Sequence, residues 1–492
     1  MRRQNRPTTR QTTTTHSVLP HHHTNSSCCS DTQLGPLPSP KEENKKRRRK
    51  RKLSAKRILL KMIRSRLFLL VFGLVSSLYM SVISILYFNI FSQLPVHINF
   101  EDSPALKNIT SPEEWFSSYS ERVELLKDRS RSSRLSVEHL LQIRPPPAIF
   151  KNYRKATTEA VKDKHTISLV THLGVSRTAL QRLAFTAELW KGGPVSAAVR
   201  VTDLQQLQEL NQFLDSQPED SLSIFQEFVS IHLLVEAVHP YGYPHNTLRQ
   251  LALDSAETTF FLQVDVDFVT QSGGHEILST LLRNDEYLQQ QMIHNRTMLV
   301  LPAFNHEVML DNNNLKISDL PQTKDEVIQA VNSKPRLLTP FHVSNYPVGH
   351  GATDFKKWYG LSKDKSEKYY PIDFALGFEP YVVGAISNDL PKFWTGFRGF
   401  GINKVSWFLE LYYEKYHFVV ARDVWVTHLN HKLTTKGTTV WNRRAAKDFC
   451  RYLVNHYGAP WKDLWRWNRH NTWRSRLRTR FEEMLAPQVK LS

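Results

Sequence analysis

The 25 residues from Leu67 to Phe91 contain no Asp, Glu, Lys or Arg. At about 1.5 Å rise per residue, such a run spans a hydrocarbon core of roughly 30 Å as one helix. Its flanks are lopsided. Lys45 to Lys52 is an unbroken basic block, Lys56, Arg57, Lys61, Arg64 and Arg66 follow it, and Ser92 to Phe100 holds no Lys or Arg. Positive flanks are retained on the cytosolic side. The expectation is a single-pass type II protein: residues 1–66 a basic cytoplasmic tail, 67–91 a signal-anchor helix, and the rest luminal. The run begins too late and is too long for a cleaved signal peptide. The rival reading makes the basic block a nuclear localisation signal, and it requires the apolar run to be a buried core helix.

The net charge of +19 over 492 residues invites a nucleic-acid partner, but its distribution excludes one. Residues 1–66 hold 18 Lys/Arg against 3 Asp/Glu, so +15 of the +19 sits in the tail and the remainder is nearly balanced. Residues 1–44 are rich in Thr, Ser, His and Pro without apolar periodicity, which reads as a disordered tail. Cys28 and Cys29 precede the apolar run and Cys450 lies far after it. Across a membrane Cys450 has no partner in its own chain, so a buried free thiol is expected and the luminal domain must rest on its core. Asn108-Ile-Thr110 and Asn295-Arg-Thr297 are N-glycosylation sequons on the luminal side.

Residues 92–160 are polar and charged, with Pro145-Pro146-Pro147, and read as a stem. From about residue 161 to 485 the pattern is that of a folded domain. Ile167 to Thr171, Val195 to Val201, Phe228 to Val235 and Thr259 to Val264 read as strands. Val175 to Trp190, Leu204 to Leu214 (with Asp203 as N-cap) and His245 to Glu257 read as helices between them. Strands alternating with helices predict an α/β fold with a parallel sheet covered on both faces, whose ligands bind beyond the carboxyl ends of the strands. The second half is rich in aromatic residues, glycine and turn signals, and its Trp and Tyr residues read as core. The stretch from Trp461 to Arg480 reads as a basic helix packed by its tryptophans.

The fourth strand runs directly into Asp265-Val266-Asp267. In an extended chain, alternation puts both carboxylates on one side. Two carboxylates there suit a hard divalent cation, Mn²⁺ or Mg²⁺, that would neutralise a diphosphate leaving group. His428 follows an apolar run and precedes His431 and Lys432; as a third ligand it would favour Mn²⁺.

Several segments together resemble glycosyltransferase family 49. They are Tyr243-Pro-His-Asn246-Thr-Leu-Arg249-Gln-Leu-Ala252, Asp265-Val-Asp267-Phe268, Val300-Leu-Pro-Ala-Phe304, Gly349-His-Gly-Ala-Thr353 with Trp358, Phe378-Glu-Pro-Tyr-Val-Val383 and Gly399-Phe-Gly-Ile-Asn-Lys404. They occur in the family order between about residues 165 and 458. The family includes the β-1,4-glucuronyltransferase of O-mannosyl glycan priming and the second catalytic domain of the matriglycan-extending xylosyl/glucuronyltransferase. The resemblance implies a GT-A fold, a Golgi membrane location, UDP-glucuronate as donor and a xylose-ended glycan or glycoprotein acceptor. It also implies Asp265, Asp267 and His428 as metal ligands and Lys432 facing the diphosphate. Asn246 and Arg249 would lie near the nucleotide, and Lys404 with Arg398 near the glucuronate carboxylate; a salt bridge to Glu410 is the other account of Lys404.

An inverting displacement needs a base for the acceptor hydroxyl. Glu379 is the expected base, with Asp373 and Glu410 as rivals. Where relatives carry acidic residues before Gly-Phe-Gly, this chain has Phe393-Trp-Thr-Gly-Phe397. A catalytically silent glycan-binding protein of the same fold is the competing reading. A homo-oligomer, or a complex with other transferases, is compatible with either. In cell fractionation the chain is expected to sediment with membranes and resist carbonate extraction; recovery in the nuclear or soluble fraction would reject the anchor.

Overall fold

A computed structural model describes residues 109–118, 147–237, 242–309, 316–342, 346–361, 366–431, 439–460 and 464. The apolar run 67–91, the basic tail with Cys28 and Cys29, Asn108, Lys432 and nearly all of 461–480 lie outside them. Among the described residues no helix is long and apolar enough to cross a membrane.

The alternating unit folds largely as its pattern predicts. Strand β2 (Ile167–Gly174) leads to α1 (Arg177–Trp190), β3 (Val195–Val201), α2 (Leu204–Asp215), α3 (Glu219–Phe228), β4 (Val229–Val235), α4 (His245–Leu253) and β5 (Phe260–Gln263). The Asp203 carboxylate accepts a hydrogen bond from the Gln206 amide at 2.9 Å and caps α2. Ser176 caps α1 in the same way from Ala179. The order β4-β3-β2-β5 is parallel throughout.

The sheet is nevertheless mixed, with nine strands in the order β1-β4-β3-β2-β5-β11-β7-β12-β10. Strand β11 (Tyr381–Ala385) runs antiparallel to both β5 and β7 (Thr297–Leu301). Strand β10 (Tyr369–Ile372) closes one edge antiparallel to β12 (His417–Ala421). The parallel sheet expected from the alternation is the β4-β3-β2-β5 part of this mixed sheet. Antiparallel pairing needs no helical crossover, so β10 and β11 lack the helix-strand alternation by which the first four were recognised. The other edge is β1 (Ala148–Arg154), antiparallel to β4. The folded part thus begins before residue 161: β1 and the buried side chains of Trp115 and Phe116 belong to the same core.

Side-chain alternation along the central strands divides that core in two. Phe260, Leu262, Leu299, Leu301, Tyr381 and Val383 enter one cluster; Phe261, Met298, Val300 and Val382 enter the other. Trp358, Trp407, Trp425, Tyr370 and Tyr381 are each under 2% exposed, as expected of core aromatics. A smaller sheet, β6-β13-β8-β9, is built from Phe268–Thr270, Val426–His428, Ala303–His306 and Leu338–Pro340.

A third cluster joins α10 (Asn403–Tyr413) to α11 (Thr439–Tyr457) and contains Cys450, a buried free thiol whose pKa burial raises to about 12. Here Glu410 accepts hydrogen bonds from Tyr452 (2.9 Å) and Tyr457 (3.4 Å). Burial outweighs these bonds and lifts its pKa to about 7. An acid protonated more readily in the folded state loses stability as pH rises from the unfolded value toward the folded one. Between pH 4.5 and 8 the Glu410→Gln variant should gain on the native protein by about 3 kcal/mol, at ~1.4 kcal/mol per unit. Parallel urea-unfolding curves across that range would show no differential if the carboxyl were not buried and neutral.

Candidate active site

The parallel strands end at one edge of the sheet, and the antiparallel strand β11 starts there. The register Val382 to Gln263 and Tyr381 to Leu301 brings Glu379 and Tyr381 beside the segment that follows β5. That segment is not extended: the Phe268 amide donates to the Asp265 carbonyl (2.9 Å), and Val266 and Asp267 form a turn. The two aspartates therefore do not share one side of an extended chain, as alternation predicts, and their carboxylates meet different partners.

Asp265 is enclosed by donors. Arg249 Nη2 lies 2.7 Å from Oδ1, and His172 Nε2 lies 3.5 Å from the same oxygen. Tyr381 donates its hydroxyl to Oδ2 at 3.1 Å, and Lys404 Nζ is 3.5 Å from Oδ2. Lys404 also sits 3.8 Å over the Tyr381 ring. Burial opposes the charge, yet Arg249, Lys404 and His172 hold Asp265 well below the usual carboxylate range. Burial keeps the imidazoles of His172 and His245 neutral by lowering their pKa values.

Asp267 faces two histidines. Its Oδ2 is 2.9 Å from His431 Nε2 and 3.4 Å from His428 Nε2. One ligand atom from each of the three residues lies within 4.8 Å of the others. One carboxylate and two imidazoles fit a borderline divalent cation such as Mn²⁺ better than Ca²⁺, which takes oxygen ligands throughout. Sequence reasoning named Asp265, Asp267 and His428 and left His431 out. The structure groups His431 with Asp267 and His428, and occupies Asp265 with Arg249, Tyr381 and Lys404. The spacing His428-x-x-His431 was the available signal.

Asn246 is fully buried, at 0% exposure. Its amide donates to the carbonyls of Trp394 (3.0 Å) and Asn403 (2.7 Å), and its Oδ1 accepts from Arg249 Nη1 (3.0 Å). It therefore joins α4 to α10 and aims Arg249. Arg398 donates to both carboxylate oxygens of Glu236 at 2.6 and 2.8 Å, which engages the group expected near a glucuronate carboxylate. Lys404 turns to Asp265, and Glu410 to the tyrosines of the third cluster, so their mutual salt bridge does not form.

Glu379 is partly buried, its amide donating to the Gly349 carbonyl at 2.9 Å. Burial raises its pKa, Lys404 and Arg249 act against that rise, and Asp265 adds to it. The close approach explains Gly349: a Cβ there would stand 2.5 Å from Tyr346 Cδ1 and 3.5 Å from Glu379 Cγ. Asp373 is exposed. Asn295 is exposed just before β7, at the end of that strand away from the site.

Residues 235–458 match the family model described as "Glycosyl-transferase for dystroglycan". The xylosyl- and glucuronyltransferase LARGE2 of Mus musculus is 29% identical over 269 residues, 54% of this chain and 34% of that protein. LARGE1 of Homo sapiens is 27% identical over 273 residues, 56% of this chain and 32% of that protein. The chain is similar to the glycosyltransferases of family 49. The match spans about a third of the length of these relatives. Among solved structures, S. aureus TarS 1-349 aligns with a TM-score of 0.34 at 11% identity, covering 66% of this chain and 76% of that one. Its UDP complex aligns at 0.29 and 12%, covering 59% and 66%. Likenesses of that size carry no weight for fold or ligand.

Removing Arg249 would leave Asp265 charged and largely desolvated. Arg249→Met should destabilise the fold by about 3 kcal/mol in urea unfolding. A loss below about 1 kcal/mol would mean that the pair does not organise this edge of the sheet.

Proposed function

We propose that this chain is a GT-A-like glycosyltransferase that transfers glucuronate from UDP-glucuronate to a xylose-ended glycan, working as a type II protein of the Golgi membrane. The observation that supports it best is the Asp267, His428 and His431 set beside the Asp265–Lys404–Arg249 cluster, at the carboxyl edge of parallel strands, in a chain similar to family 49. The donor sugar and the location rest on the relatives named xylosyl- and glucuronyltransferases and on the sequence before residue 92.

In this reading Asp267, His428 and His431 hold Mn²⁺. Once bound, the cation supplies positive charge against the diphosphate of the donor. Lys404 is fixed by Asp265 and the Tyr381 ring; its ammonium has three donors, and those not spent on Asp265 serve the anionic groups of the donor. Lys432 follows His431 directly in the chain and adds a second cation for the diphosphate. Arg249 and Asn246 act through Asp265 by keeping this arrangement rigid. Glu379 accepts the proton of the acceptor hydroxyl as that oxygen attacks the anomeric carbon and the UDP oxygen departs. A raised pKa makes it a better base for this step than a solvated carboxylate. Glu410, its sequence-level rival, is spent on Tyr452 and Tyr457.

A panel of UDP-sugars with xylosyl acceptors and Mn²⁺ tests the reading directly. UDP-glucuronate should be the donor consumed, and Asp267→Asn should lower transfer at least about a hundredfold while the far-ultraviolet circular dichroism stays unchanged. No turnover or binding of any UDP-sugar by the native protein would instead favour a silent glycan-binding role.

A further inference from the structure

The small sheet lines up one residue from each of its four strands. His428 on β13 is in register with Phe268 on β6 and Asn305 on β8, and Asn305 is in register with Thr339 on β9. The side chains of this row touch in sequence. The Phe268 ring lies 4.9 Å from the His428 ring, and Asn305 Oδ1 lies 2.8 Å from His428 Nδ1. Asn305 Nδ2 donates to Glu307 Oε1 at 3.1 Å, and the Thr339 hydroxyl donates to that same Glu307 oxygen. Asn430 Nδ2 donates to the Glu307 backbone carbonyl at 3.4 Å.

The chemistry of these groups fixes one direction for every hydrogen bond. An ionised carboxylate only accepts, so the Asn305 group facing Glu307 is its NH₂. The Asn305 oxygen then faces His428, and an amide oxygen only accepts. His428 Nδ1 must therefore carry the proton, and in the neutral ring Nε2 is a bare lone pair. Nε2 is the ring atom that faces Asp267, so it is the one available to a metal ion bound there. From this we infer that Asn305, held in its orientation by Glu307 and Thr339, is a positioning residue that sets the His428 tautomer for metal ligation. The inference rests on the metal reading above but concerns residues outside the ligand set. Without Asn305 the ring is free to place its proton on Nε2, which cannot ligate, or to turn about its own axis. Outer partners of ligating histidines typically contribute ten- to a hundredfold in metal affinity.

The experiment uses the full chain in detergent and Mn²⁺ alone as the probe, with binding followed by the loss of the free-ion electron paramagnetic resonance signal. Asn305→Leu should weaken Mn²⁺ binding about ten- to a hundredfold. Asn305→Asp keeps an acceptor toward Nδ1 and should bind within a few-fold of the native protein. Native-like Mn²⁺ affinity in Asn305→Leu would overturn the inference and leave the metal site standing. Failure of the native protein to bind Mn²⁺ would overturn both. A second readout needs no variant at Asn305: ¹⁵N-histidine labelling of the metal-free native protein, with His428 assigned by its loss in His428→Gln. The expected spectrum shows a proton on Nδ1, whatever Nε2 carries toward Asp267 in the absence of metal; a bare Nδ1 refutes the inference.

Discussion

Asp265 stands at the carboxyl end of the central strand, where neighbouring side chains have displaced most of its water. A carboxylate in such a place stays charged only if its desolvation is offset by nearby positive charge and hydrogen-bond donors. Arg249, Lys404, Tyr381 and His172 supply that offset, and each comes from a different element. Holding one carboxylate therefore ties α4, α10, β11 and β2 to the end of β5. Asn246 and Asn403 extend the tie, since both accept from Arg249 and the Asn246 amide donates to the Asn403 carbonyl. The charge that costs most to bury is thus the one that organises the edge of the sheet where the candidate site lies.

The two aspartates of the Asp-Val-Asp triplet divide their work because the chain turns between them. Asp265 faces back into the large sheet and is saturated by cations. Asp267 faces the small sheet and its two histidines, beyond the reach of Arg249 in any hydrogen bond. Cationic charge and imidazole ligands are kept on separate carboxylates, so a metal at Asp267 would not compete with the Asp265–Arg249 pair. Glu379 completes the site from β11, whose antiparallel direction is the reason a residue just before a strand begins can sit where four other strands end.

Much of the first half was legible from local pattern. Helical spacing of apolar residues, the Asp203 cap and the β-rich runs located β2 to β5 and the helices between them, because each signal is confined to a few neighbouring residues. The antiparallel strands were missed for the converse reason. Tyr381–Ala385 and Ala148–Arg154 become strands through partners more than 75 residues away in sequence, and Trp115 and Phe116 join the same core from a segment before β1. Among the site residues, the triplet and His428 stood out by type and position. His431 and Asn305 did not, since a histidine three residues on and an asparagine in an apolar run acquire meaning only from what the other strands bring to them.

The sequence by itself determined the lopsided charge, the uninterrupted apolar run, the α/β alternation and the identity of the chemical groups, because these depend on residue type and short-range spacing alone. Only the tertiary structure decided how those groups are shared. It gave Asp265 to Arg249 and Lys404 and gave Asp267 to His428 and His431. It spent Arg398 on Glu236, and it buried Asn246 as a brace. Pairings of this kind are set by which side chains compete for the same few ångströms of desolvated space, and that competition exists only once distant strands have been brought together.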